Sequence, residues 1–133
     1  MRVLVIIIFI LVAPFSYACT NDREVIPDGI IKVEISQNSV RPDISNNVWH
    51  IKITADEKYK SFTATRLRIS TYEKPYFEIP VNFQTAYEKI SANVYLSDEI
   101  LNKAELYIGY GGFPCISAEK AIKLKPNKPI KQD

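Results

Sequence analysis

Apolar residues in this chain keep returning at every second position. Ile31, Val33 and Ile35 alternate with Lys32 and Glu34. Trp49, Ile51, Ile53 and Ala55 alternate with His50, Lys52 and Thr54. The rhythm resumes in FTATRLRIST, YFEIPVNF, KISANVYL and KAELYIGYG, and ends in AIKLK. Period two places successive side chains on opposite faces of a strand, so each run predicts a strand with one face buried. Helical periodicity is confined to SDEILN, where Ser97 is placed to cap a single turn and Asp98 and Glu99 suit the positive end of its dipole.

Seven such runs, separated by turn-forming Pro, Gly, Asn, Asp and Ser, predict an all-β chain. Size and strand number resemble an Ig-like antiparallel β-sandwich of about seven strands, with a closed barrel as the architectural alternative. The turn at SDEILN is placed to carry the chain from one sheet to the other. Pro80 cannot donate to a strand ladder, so YFEIPVNF is expected at an edge. Tyr107, early in the sixth run, is the candidate for a tyrosine corner. The expected layout is a signal segment at 1–18, an extended lead-in at 19–29, a β-sandwich at 30–126 and a basic, Pro-containing tail at 127–133.

The first residues bear on location. Arg2 precedes ten unbroken apolar residues, Val3 to Val12, and Ser16-Tyr17-Ala18 follows. That is the layout of a cleaved export signal, and its apolar core is shorter than the roughly 20 residues a membrane span needs. The mature chain is therefore expected to have no transmembrane span and to reside in the periplasm or outside the cell. Two fates compete for Cys19. It pairs with Cys115, the other of the chain's 2 cysteines, or it is lipidated as the first residue of an outer-membrane lipoprotein. The residues before it fit lipidation poorly, because Ser16 and bulky Tyr17 stand where Leu and a smaller residue are usual.

Composition excludes some chemistries. The chain carries 17 Lys+Arg against 15 Asp+Glu, and export removes only Arg2. That balance argues against nucleic acid as a partner. His50 is the single histidine and falls on the polar side of its strand, which argues against catalysis and against a zinc site. Asp43, Asn46, Asn47, Asp56 and Glu57 lack the spacing of a calcium loop. No metal and no cofactor is expected. GYGGFPC, at 109–115, lacks the Lys-Ser/Thr and the following helix of a phosphate loop. Its glycines are expected to shape a turn between two strands.

Tyrosine is the remaining signal. Tyr59, Tyr72, Tyr76 and Tyr87 fall in or beside predicted loops, where an amphipathic side chain with few rotors makes a good contact residue. The expectation is an exported, non-enzymatic binding module for another envelope protein or a glycan, with an inhibitor or immunity-type protein as the sharper form. A structural subunit or lipoprotein accessory of a surface appendage or secretion system is the alternative.

Overall fold

The computed structural model describes residues 23–37, 48–112 and 115–126. The signal segment, Cys19, the tail from 127 onwards, and Asp43, Asn46 and Asn47 lie outside the described residues. The chain is all-β. Its strands are β1 (Glu24–Val25), β2 (Ile31–Gln37), β3 (Val48–Asp56), β4 (Lys58–Tyr59), β5 (Phe62–Thr71), β6 (Glu78–Pro80), β7 (Gln84–Ala86), β8 (Lys89–Ser97), β9 (Ala104–Tyr110) and β10 (Ala118–Lys123). One helical turn, α1 (Asp98–Leu101), joins β8 to β9.

The strands form two sheets. One runs β2-β3-β8-β7; the other runs β1-β10-β9-β5-β4, with β6 also on β5. The second sheet curls into a half-barrel. A register shift between Ala64 and Arg66 of β5 contributes to that curl, since an extra residue on one strand bends it and sharpens its twist.

Three expectations need correction. The sheets are not wholly antiparallel, because β1 runs parallel to β10. The count exceeds seven, because β1, β4 and β7, of two or three residues each, leave too little alternation to read. YFEIPVNF is not one strand. Its middle is β6, at the edge of β5 as Pro80 demands, and the chain then crosses to the other sheet before β7. Asp98, Glu99 and the Ser97 N-cap stand where expected, although Ser97 makes no side-chain cap bond.

Alternation decides what lies between the sheets. Ile51, Ile53 and Ala55 of β3 and Ile90, Ala92 and Leu96 of β8 point inward from one side. Leu67 and Ile69 of β5 and Ala104, Leu106, Ile108 and Tyr110 of β9 meet them from the other. Burying each large apolar side chain contributes about 1.5–3 kcal/mol. Trp49 packs at the rim of this core and its indole N–H donates to Asp98 Oδ1 at 2.7 Å, tying β3 to α1. Tyr107 is not a tyrosine corner: it faces outward, and its hydroxyl donates to the Glu105 carboxylate at 2.7 Å. That bond raises the Tyr107 pKa above its ordinary value.

The glycine loop is a turn from β9 to β10, closed by Ser117 N–H donating to the Tyr110 carbonyl at 2.8 Å. Gly111 has φ +146°, and a Cβ there would lie 2.7 Å from both the Cys115 carbonyl oxygen and the Ser117 nitrogen. Gly112 has open space. Gly111→Ala is therefore expected to lower stability by about 2 kcal/mol, while Gly112→Ala stays within about 0.5 kcal/mol of wild type. Urea unfolding of the two variants checks the contrast.

Candidate functional site

All three non-glycine residues with positive φ among the described residues sit at one end of the sandwich. Lys60 (φ 54°) lies in the two-residue loop between β4 and β5; Tyr87 (φ 52°) and Glu88 (φ 59°) form the loop between β7 and β8. Such a two-residue hairpin loop favours Asn-Gly, because a Cβ in the left-handed region costs on the order of 1 kcal/mol per residue. Here the loop carries a tyrosine and a glutamate instead. Strain of this kind gathers at sites that do more than close a chain.

The two hairpins are joined. Glu57 N–H donates to the Glu88 carbonyl at 2.9 Å, and Ala64 N–H donates to the Glu57 carbonyl at 2.7 Å. Between them lies a shallow cleft of about 380 Å³, lined by Asp56, Glu57, Lys58, Tyr87, Glu88 and Lys89. Asp56 and Lys89 form an ion pair across it. Its floor is anchored from the core: the Tyr110 hydroxyl, fully buried, donates to the Asp56 carbonyl at 2.8 Å. Tyr59 packs on Tyr110 with ring centroids 6.1 Å apart. Lys60 reaches back to Glu24 of β1 at 2.5 Å, and that bond raises its pKa.

The four predicted contact tyrosines do not form one patch. Tyr87 is 99% exposed at its hairpin tip. Tyr59 shares that end but is half-buried against the core. Tyr72 and Tyr76 lie past the far end of β5, roughly 30 Å away by the rise of a ten-residue strand. Their loop is fixed by Thr71, whose hydroxyl donates to the Pro75 carbonyl at 2.7 Å and accepts from Phe77 N–H at 3.0 Å. Tyr72 donates to the Asn102 carbonyl at 2.8 Å and Lys123 lies over its ring. Cys115 is at the Tyr87 end, in the loop after β9, and is not a free thiol.

Asp56, Glu88 and Lys89 were not singled out as contact residues in the sequence. No sequence signal marked this hairpin, because β7 has three residues and no apolar stripe. His50 lies on the outer face of the four-stranded sheet, stacked on Tyr95 at 5.0 Å and hydrogen-bonded through Nε2 to Asn93 Oδ1 at 2.9 Å. On the outer face of the other sheet, Arg68 packs over the Tyr107 ring at 4.3 Å between Glu78 and Glu119, and Arg23 joins Glu119. These charges neutralise one another and brace four strands or strand ends. Among the described residues, no three His, Cys, Asp or Glu side chains gather as a metal site would require. Among the same residues, no helix is long and apolar enough to cross a membrane.

No protein-family model, curated protein or solved structure matches the chain.

Burial, and secondarily the Asp56 charge, push the Tyr110 pKa from 10.0 up to about 12. Its neutral phenol is favoured in the folded state, so the stability it adds is complete below pH 10 and is lost as pH rises toward 12. Tyr110→Phe is expected to cost about 1 kcal/mol at neutral pH through the lost hydrogen bond. The gap from wild type should narrow above pH 10, read by unfolding at a series of pH values.

Proposed function

We propose that the chain is an exported, non-enzymatic binding protein of the cell envelope, and that it engages a partner protein through the Tyr87 hairpin end. One observation carries this reading: a tyrosine stands almost wholly in solvent on a turn whose backbone disfavours any side chain. Tyrosine supplies large contact area at small entropic cost, and the flanking Asp56–Lys89 pair and Glu88 offer polar contacts around it. The single imidazole is engaged by Asn93 and Tyr95 on an open sheet face, which suits a surface role better than proton transfer. The inhibitor or immunity-type version fits the same geometry, since a rigid protruding hairpin is a common way to fill a cleft in another protein.

The Ig-like form of the fold belongs to this proposal. Support comes from strand order: β2-β3-β8-β7 and β10-β9-β5 follow the A-B-E-D and G-F-C arrangement of Ig domains, with β1, β4 and β6 as additions. Loops at one end of such sandwiches commonly carry binding.

The Cys19–Cys115 disulfide is part of it too. Partners in the parallel β1–β10 pair are 94 positions apart, Glu24 with Ala118 and Val25 with Glu119. Cys115 follows Cys19 by 96 positions, two off the same register. The start of β1 lies against the residues just before β10, with Glu24 N–H donating to the Ser117 carbonyl at 3.0 Å. A bridge there would pin the lead-in beside the binding loops and stabilise the fold by up to roughly 4–5 kcal/mol in the chain-entropy model. Lipidation of Cys19 excludes it. The alternative role, a subunit of a surface assembly, draws on the outer edge of β2, which no described strand covers.

Two measurements check these points. In affinity capture from envelope extract followed by mass spectrometry, wild type and Tyr76→Ser are expected to retain the same partner, and Tyr87→Ser to lose it. Equal capture by Tyr87→Ser removes the hairpin from the proposal, and capture of glycan in place of protein overturns the partner class. The intact mass of the mature protein should be that of the chain less two hydrogens, with the melting temperature lowered by reductant. An acyl adduct, or a melting curve indifferent to reductant, rules the bridge out.

A further inference from the structure

The four-stranded sheet ends at β2, a seven-residue strand paired with β3 on one side only among the described residues. An edge of that length is a ready template for another strand. Its alternation of apolar and charged residues is the same from either end, with the sign of each charge exchanged: Ile31-Lys32-Val33-Glu34-Ile35. We propose that β2 pairs antiparallel with β2 of a second copy of this chain about a two-fold axis at Val33, joining the two four-stranded sheets into one.

The pairing follows from the pattern. With Val33 opposite its own copy, Ile31 meets Ile35, Lys32 meets Glu34, and both contacts occur twice. Each residue then faces an apolar or oppositely charged partner, the arrangement that stabilises cross-strand pairs. No other register does this: moving the axis by one residue sets Lys32 opposite its own copy or Glu34 opposite its own copy, and a half-residue move sets Lys32 opposite Val33 or Val33 opposite Glu34. Lys32 and Glu34 already share the outer face and lie 2.5 Å apart within the strand, so the dimer closes them into an alternating ring of four charges. On the opposite face, Ile31, Val33 and Ile35 pack on the core but remain partly exposed, as expected where a neighbouring strand is lacking. The contact is isologous, so it closes at two copies and does not propagate. The other end of this sheet, β7, has three residues and offers no comparable edge. This inference is independent of the Tyr87 hairpin, which lies on a different edge of the molecule.

The charge pair supplies the test. Lys32→Glu gives each strand two acids facing two acids, and Glu34→Lys gives two lysines facing two lysines. Sedimentation equilibrium of the mature protein is expected to show a concentration-dependent dimer for wild type. Each single variant should weaken it at least tenfold. An equimolar mixture of the two variants should form a one-to-one heterodimer, and K32E/E34K should dimerise like wild type. Circular dichroism and melting of every variant confirm the fold, which these exposed positions leave intact. A wild type that stays monomeric at every concentration overturns the proposal. So do single variants that dimerise as well as wild type, or a mixture that forms no heterodimer.

Discussion

The shared layer of aliphatic side chains between the two sheets is the constraint from which the rest of the structure follows. Ile51 and Ile53 on one side and Ile69, Leu106 and Ile108 on the other exclude water completely. Because side chains alternate along a strand, committing these residues inward commits Lys52, Arg68 and Tyr107 outward. The outer faces were thus left to polar chemistry, and each solved it differently. One built a ring-and-amide cluster around His50; the other built an ion network around Arg68.

The same layer explains what the sequence disclosed. Strands with a buried face announce themselves, and β2, β3, β5, β8 and β9 were legible almost residue by residue, as was the helical turn at Asp98. Strands held only by backbone pairing were not. β1 and β4 are two residues long, and β7 is exposed throughout, so none of them carries an apolar stripe. The parallel direction of β1 was hidden for another reason: it depends on where a distant loop returns, which no local pattern records. YFEIPVNF shows the limit from the opposite side. Its alternation is real, since Ile79 and Val81 both face the core, but the chain changes sheets within it.

The candidate site was legible in part. Of the four loop tyrosines, only Tyr87 combines full exposure with a left-handed backbone. Tyr59 looked equivalent in the sequence and is drawn inward by Tyr110, a contact between residues far apart in the chain. Gly111 answers to the two backbone atoms its Cβ would strike, and Gly109 answers to Ile116, whose Cδ1 would lie 2.9 Å from an added Cβ. Shape, not chemistry, selects glycine at both positions.

The Tyr87-Glu88 turn has a consequence for the history of the chain. A hairpin tip is among the easiest places for mutation to improve a protein, and Asn-Gly there would relieve the left-handed strain at once. A sequence drifting under selection for folding alone would reach that solution readily. The chain instead keeps a bulky aromatic and an acid on its most exposed corner. On the proposed reading, that corner is kept for contact with a partner and not for the stability of the fold.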